Sequence, residues 1–150
     1  MNDLMIDLES MGKKPNAPIV SIGAVFFNPH TGELGQEFYT AVSLESAMDQ
    51  GAVPDGDNPK YMKVWGNGAT FDNVILRGAY ERAGHICPWA FWNDHDVRTI
   101  VTLGRSVGFD PKRDMPFIGD VHNALADARH QAKYVSAIWH KLIPTTSDKF

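Results

Sequence analysis

Acidic side chains occur at three separated points of the sequence where a folded chain could bring them together. Asp7 and Glu9 lie one residue apart in the segment Asp3–Glu9, whose alternating character predicts a strand with both acids on one face. Asp72 falls in the first turn of a predicted helix, and Asp127 lies one turn into the last predicted helix. Carboxylate oxygens are the ligands that Mg²⁺ and Mn²⁺ prefer, and several of them around two such ions can support phosphodiester hydrolysis.

Each acid also has an ordinary explanation when it is taken alone. Asp7 and Glu9 could face solvent on a half-exposed strand, where acidic residues are tolerated. A carboxylate in the first turn of a helix, such as Asp72, interacts favourably with the helix dipole, and Asp127 alone fits a surface position. The acids therefore become informative only in combination, together with the elements and flanking residues that carry them.

The hydrophobic pattern predicts a three-stranded antiparallel meander followed by alternating strands and helices. The predicted strands are Asp3–Glu9, Pro18–Phe27, Gln36–Val42, Tyr61–Trp65 and Phe91–Asp96, with a turn over Asn28–Glu33. The predicted helices are Phe71–Ala83, capped by Thr70 and ended by Gly84, then Val97–Val107 and Asn123–Leu142. Residues 43–60 are predicted to be loop, with a helical turn over Leu44–Asp49. This order favours an α/β fold with helices packed on a mixed sheet.

Size and composition fit one globular domain, which we predict to span residues 1–150. Of the 150 residues 43% are hydrophobic, enough for one core that includes Trp65, Trp89, Trp92 and Trp139. The longest apolar run, Ile19–Phe27, is far shorter than the ~20 residues that span a bilayer, so no membrane partner is expected. The lone Cys87 excludes an intramolecular disulfide and a Cys-based zinc site, which favours a cytoplasmic location.

Three groups of residues around the acids resemble the motifs of the DEDDh (DnaQ-like) 3'–5' exonuclease superfamily. Leu4–Glu9 resembles the first motif, a strand that ends in Asp-x-Glu. Trp65–Leu76 resembles the second, in which an Asn and a Phe lead to an Asp that opens a helix. His122–Ala128 matches the third, a His followed by four residues, an Asp and a small residue. Within the superfamily, the residues around these motifs are most similar to those of the exodeoxyribonuclease VIII and phage 3'–5' exoribonuclease-like group.

This resemblance implies an RNase H-like fold with a five-stranded mixed sheet and helices on both faces. It implies two Mg²⁺ or Mn²⁺ ions, release of nucleoside 5'-monophosphates from a 3' end, and four metal ligands: Asp7, Glu9, Asp72 and Asp127. His122 is expected in the loop before the last helix, where its neutral imidazole could accept a proton as general base. The expected substrate contacts are Ser10, Met11, Gly12, Asn67 and Phe71.

The charge pattern bears on the expected partners. The net charge is −4, and the Arg and Lys residues are scattered, which excludes a broad basic surface for duplex binding. Bound metal ions would supply positive charge locally, so single-stranded DNA or RNA 3' ends are the expected substrates. The choice between DNA and RNA depends on contacts to the 2'-hydroxyl, which the sequence leaves open. The resemblance also suggests a homodimer.

Two alternatives remain open at this point. A catalytically idle nucleic-acid-binding or assembly module of a phage-derived recombination or repair system could share the fold, although four mutually repelling carboxylates argue against it. The connection between Val42 and Lys63 is shorter than in related domains. Either it is a trimmed loop or the chain lacks residues near Asp57–Lys60, and both would change one wall of the substrate cleft.

Overall fold

A computed structural model of the protein describes residues 1–41, 61–120 and 122–144. Five strands in these residues form one sheet: β1 (Asp3–Ser10), β2 (Ile19–Phe27), β3 (Leu34–Thr40), β4 (Lys63–Gly66) and β5 (Asp94–Asp96). Their order across the sheet is β3-β2-β1-β4-β5. β1 pairs with β2, and β2 with β3, in antiparallel fashion, whereas β1–β4 and β4–β5 are parallel. The predicted five-stranded mixed sheet is therefore confirmed.

The described residues form four α-helices: α1 (Asp72–Arg82), α2 (Val97–Ser106), α3 (Pro111–Asp114) and α4 (Ala124–Leu142). The last helix was predicted to begin at Asn123, and this residue is its cap, because Asn123 Oδ1 accepts a hydrogen bond from the Ala126 backbone N–H at 3.0 Å. Asp96 caps α2 in the same way. The short helix α3 was not predicted from the sequence, although Pro111 in its first turn and the capping Asp110 are typical start signals.

The alternation of β1 places apolar side chains on both faces of the sheet. Leu4, Ile6 and Leu8 pack in one buried cluster with Ile75 and other residues of α1. Met5, on the opposite face, packs in a second cluster that includes buried residues of α2 and α4. The prediction of helices on both faces is thus correct. The central strand is covered on each side, and its polar end at Glu9 and Ser10 is only partly buried, so a site can form there.

Several predicted boundaries are wrong by a few residues. Phe91–Asn93 forms a 3₁₀ turn and only Asp94–Asp96 is strand, pairing in parallel with three residues of β4. Thr70 is not the cap of α1; Phe71 holds that position without a side-chain hydrogen bond. The preceding loop already turns the chain, since Gly68 O accepts from the Phe71 and Asp72 backbone N–H groups at 2.8 and 3.0 Å. The third strand begins at Leu34 rather than Gln36.

Among the predicted core tryptophans, Trp65 and Trp89 are buried, whereas the prediction for Trp92 is wrong, because its side chain is 71% exposed beside Phe91. The predicted loop over residues 43–60 and its helical turn lie outside the described residues. None of the helices in the described part of the chain has the length and apolar character needed to cross a membrane.

A polar hub joins α1 to the sheet. Both oxygens of Asp94 accept hydrogen bonds from the Arg77 guanidinium at 2.9 Å, and Asp94 Oδ1 also accepts from Asn73 and from Trp89 Nε1. Burial alone would raise the pKa of Asp94, but these donors outweigh it and hold the pKa below its ordinary value. The hub fixes the orientation of the helix whose first residue is Asp72.

Candidate metal centre

Asp7 and Glu9 lie on the face of β1 that α4 covers. Opposite Asp7 in the sheet stands Gly23 of β2, and its lack of a side chain allows the start of α4 to approach the sheet closely. A Cβ atom built on Gly23 would lie only 2.2 Å from the Ala124 backbone carbon, so no other residue fits there. This close approach brings the first turn of α4 over the end of β1.

The close approach of α4 to the sheet places Asp127 near Asp7 and Glu9. One carboxylate oxygen from each of Asp7, Glu9 and Asp127 lies within 4.8 Å of the others, so three of the four predicted ligands converge. Two of them come from one strand, and the third comes from a helix about 120 residues later in the sequence. The tertiary fold therefore assembles a three-carboxylate group that the sequence could only anticipate.

Asp72, the fourth predicted ligand, lies beside this group. It is buried, with 3% of its surface exposed, and begins α1 directly after the loop that leaves β4. The three-carboxylate group does not include it. Its charge nevertheless contributes to the raised pKa of Asp7, and the charge of Glu9 contributes to that of Asp72, so the four acids form one electrostatic unit.

Burial and mutual repulsion make these carboxylates hold protons unusually tightly. Burial, followed by the charges of the other three acids, raises the pKa of Asp7 to about 8. Burial also raises the pKa of Asp72 to about 7, against a hydrogen bond with the Asn67 backbone. The pKa values of Glu9 and Asp127 are raised as well, in both cases chiefly by burial. The protein thus concentrates negative charge where solvent cannot screen it well.

Such a group fits divalent cations. The Oδ2 atom of Asp7 is buried without a hydrogen-bond partner among the described residues, and its Oδ1 accepts a long hydrogen bond of 3.4 Å from Gln131 Nε2. An unpaired buried carboxylate oxygen is costly unless a cation compensates it. The donor set consists of oxygens alone, which suits Mg²⁺ or Mn²⁺. Both the ligand atoms and their positions therefore suit a divalent cation.

His122 lies in the turn immediately before α4, as predicted, and its side chain is exposed. Its backbone has a φ of 68°, a left-handed conformation that residues other than glycine rarely adopt. Local strain of this kind often accompanies a functional position. The charge of His122 lowers the pKa of both Glu9 and Asp127, which places the imidazole within electrostatic range of the acid group.

The predicted substrate contacts fall into two loops at the same end of the sheet. In the first, Ser10 Oγ donates to Gly12 O at 2.9 Å, and Met11, 72% exposed, is held by its backbone N–H to Pro18 O at 2.9 Å. In the second, Asn67 Oδ1 is buried without a partner. Phe71 is partly buried and packs against the core cluster of α1, so only part of its ring is available to a ligand.

The sequence reasoning missed two residues that hold this centre together. Gln131 is buried and approaches Asp7 from α4, one turn after Asp127. The only sequence signal was a long polar side chain on the otherwise alanine-rich inner face of the helix. Asp96 accepts hydrogen bonds from the Gly68 and Ala69 backbone N–H groups at 3.3 and 3.0 Å, and so fixes the loop before Asp72.

The fold has counterparts among solved structures. The nuclease domain of 3'hExo, a DEDDh family member, bound to rAMP, has a TM-score of 0.61 and 16% identity over 93% of this chain and 91% of that chain. Exonuclease X in complex with 5' overhanging duplex DNA has a TM-score of 0.57 and 15% identity over 97% and 95%. The zinc-bound E. coli ExoI–ssDNA complex gives 0.57 and 15% over 98% of this chain and 42% of that chain. These identities show the fold alone, and the expected RNase H-like architecture is confirmed.

Family membership comes from the sequence itself. The profile of the Rv2179c-like family, described as a 3'-5' exoribonuclease Rv2179c-like domain, matches residues 2–58 and 56–139. The two matched segments meet within the short connection between the third strand and the second motif. No curated protein matches the chain. Because the matched segments include all three motifs and nearly the whole sequence, the chain belongs to the Rv2179c-like 3'-5' exoribonuclease domain family of DEDDh-type nucleases.

Proposed function

We propose that this chain is a metal-dependent 3'–5' exonuclease that shortens single-stranded nucleic acid from its 3' end and releases nucleoside 5'-monophosphates. The observation that carries the proposal is the convergence of Asp7, Glu9 and Asp127 within 4.8 Å, beside the buried Asp72. A binding module would gain nothing from such a group, because unneutralised buried carboxylates destabilise a fold.

The four acids would hold two Mg²⁺ or Mn²⁺ ions. When bound, the ions supply Lewis-acid chemistry, activating water for attack on phosphorus and stabilising the leaving oxygen. The chain's own contribution is to fix the carboxylates before the ions arrive. The close contact at Gly23 sets the position of Asp127, and the hub at Asp94 sets that of Asp72. Burial of Asp7 restricts bulk water, which strengthens its attraction for a cation.

His122 would act as the general base that takes a proton from the attacking water. Its position in a turn leaves the side chain exposed, so the proton can pass from the imidazole to solvent after each cycle. The left-handed backbone at this residue directs the chain into the cap of α4, which couples the placement of His122 to that of Asp127. Both residues would then approach the reacting phosphate from the same end of the helix.

The 3'-terminal nucleotide would lie between the two loops beside the acids. Met11 is a large apolar side chain that is 72% exposed, and contact with a sugar or base would cover it. The buried, unpaired Oδ1 of Asn67 could accept a hydrogen bond from a hydroxyl of the terminal sugar. Ser10 and Gly12 would shape the backbone around Met11, as their mutual hydrogen bond already does.

The nature of the sugar is the least constrained part of the proposal. The family description names an exoribonuclease, so RNA is the first substrate to test. The structural neighbours are complexes with rAMP, 5' overhanging duplex DNA and single-stranded DNA, so DNA must be tested in parallel. A homodimer and a cytoplasmic location remain predictions.

A time course on 3'- and 5'-labelled single-stranded RNA and DNA oligonucleotides tests the proposal. The reactions would contain Mg²⁺, Mn²⁺ or EDTA, and the products would be compared with nucleoside 5'-monophosphate standards. We expect metal-dependent shortening from the 3' end that Asp7→Asn abolishes. Asp114→Asn is the matched control, because Asp114 is an exposed acid paired with Arg113 on α3. No shortening of any substrate by the wild-type protein would instead favour the binding module.

A further inference from the structure

Arg98 occupies an unusual place beside the acid group. It is the second residue of α2, and its guanidinium lies over the loop that leads from β4 to Asp72. A Cβ atom built on Gly68 of that loop would lie 3.1 Å from Arg98 Cζ and 3.2 Å from its Nη1. Gly68 also has a φ of +95°, so its backbone favours glycine, and the arginine side chain lies close against it.

The carboxylate of Asp96 holds both the backbone of Arg98 and the loop that contains Gly68. Asp96 accepts the Arg98 backbone N–H at 2.8 Å, and it also accepts from the Gly68 and Ala69 backbone N–H groups. The start of α2 and the loop before Asp72 are therefore tied to the same side chain. This arrangement fixes where the Arg98 side chain leaves the backbone.

The guanidinium itself has no anion partner among the described residues, since none of the ion pairs or side-chain hydrogen bonds found there includes it. Arg98 is exposed and stands in the first turn of a helix, where the dipole disfavours a cation. The helix itself therefore does not favour a positive charge at this point. The exposed guanidinium is open to an anion supplied from outside.

The acid group lies within reach of this charge. The guanidinium lies against Gly68, whose carbonyl oxygen accepts a hydrogen bond from the Asp72 backbone N–H at 3.0 Å, so Arg98 stands at the edge of the acid cluster. A phosphate that approaches the cluster meets four acidic side chains on a protein whose net charge is −4. A guanidinium can offer it two parallel hydrogen bonds as well as a full positive charge.

We propose that Arg98 binds a phosphate group of the nucleic-acid strand whose 3' end enters the acid cluster. This inference rests on the proposed exonuclease function and adds a phosphate-binding residue to it. Arg98 would hold the strand in place, whereas the acids and His122 would act at the reacting phosphate. Its loss should therefore weaken binding and leave the chemical step largely intact.

The test compares Arg98→Gln with Arg105→Gln, which removes the same charge from the same helix two turns later, where Arg105 is paired with Asp110. Binding of a fluorescein-labelled single-stranded oligonucleotide, with hydrolysis-resistant phosphorothioate linkages at its 3' end, would be measured by anisotropy over a range of salt concentrations. Steady-state kcat and KM on the unmodified strand, and the Mg²⁺ affinity of the protein without nucleic acid, complete the set.

For Arg98→Gln we expect Kd and KM to rise about tenfold, with kcat within about twofold of wild type. The slope of log K against log salt should fall by ~0.7, as expected for one phosphate contact on a single strand. Arg98→Lys should keep the salt slope but recover only part of the affinity. Mg²⁺ affinity should not weaken, because the lost charge was positive. Arg105→Gln should leave all of these values near wild type.

Two results would overturn the inference. An unchanged Kd and salt slope in Arg98→Gln would show that the guanidinium does not meet the strand. Weakened Mg²⁺ binding and a lower kcat with an unchanged salt slope would assign Arg98 to the architecture of the metal centre instead. If the wild-type protein binds the strand through Arg98 but degrades nothing, the exonuclease proposal fails while the phosphate contact stands.

Discussion

Removing the charge of Asp7 should abolish activity and at the same time stabilise the metal-free protein at alkaline pH. The folded-state pKa of Asp7, about 8, lies above its ordinary value of 3.8, so the folded chain binds this proton more tightly than the unfolded chain does. The stability that this proton provides is fully present below about pH 4. It is lost progressively as the pH rises from about 4 towards about 8, while the carboxylate in the folded protein ionises against its neighbours.

The size of the effect follows from the same shift. At about 1.4 kcal/mol for each pKa unit, the whole shift corresponds to roughly 6 kcal/mol of stability lost at high pH. Asp7 is only half-buried, so solvent screening reduces this figure, and neighbouring acids can take up protons in its place. For Asp7→Asn we therefore expect a gain of about 1–3 kcal/mol in the free energy of unfolding at pH 8.5 in EDTA. The Asn carbonyl can keep the hydrogen bond from Gln131.

Urea unfolding followed by tryptophan fluorescence, at pH 8.5 and pH 5 in EDTA, measures this gain, which should shrink at the lower pH. Mg²⁺ should stabilise the wild-type protein and have much less effect on Asp7→Asn. Asp114→Asn, which removes an exposed and paired acid, should show neither the gain nor the loss of activity. If Asp7→Asn were less stable than wild type at pH 8.5 without metal, repulsion would not dominate this site and the reasoning would be refuted.

Three further predictions concern other parts of the molecule. His122→Ala should reduce kcat by roughly 10²–10⁴-fold with little change in Mg²⁺ affinity, and a rate near wild type would remove His122 from the mechanism. Gly23→Ala should cost at least about 2 kcal/mol in urea unfolding, because its Cβ would meet the backbone of α4 at 2.2 Å, and unchanged stability would contradict that close approach. Asp94→Ala should cost about 1–3 kcal/mol at pH 7, because it removes the acceptor of four hydrogen bonds from three side chains. This cost should diminish below about pH 4, since the lowered pKa of Asp94 means that its stabilisation is lost as the pH falls, and a cost that persisted there would contradict the ionic hub.

Local sequence patterns predicted much of the fold. The alternation around Asp7 and the terminating Gly84 identified a strand and a helix end, because each depends on residues within a few positions. The predicted strand boundaries were wrong where the extent of a strand depended on its pairing with a neighbouring strand. The sequence Phe91–Asp96 has strand character throughout, but β4 offers partners to only three of its residues. Trp92 was predicted to be core but is 71% exposed, in the 3₁₀ turn that precedes the paired residues.

The sequence by itself determined the residue types of the site, the order of its motifs and the elements that carry them, since periodicity and capping are properties of short segments. Only the tertiary structure decided that Asp127 meets Asp7, because their contact depends on Gly23, which no local pattern linked to α4. It also decided the raised pKa values, which come from burial and from charges far apart in the sequence. Arg98 was one scattered cation in the sequence, and folding placed it beside Asp72. Long-range packing, which short segments do not encode, turned separate acids into a single charged site.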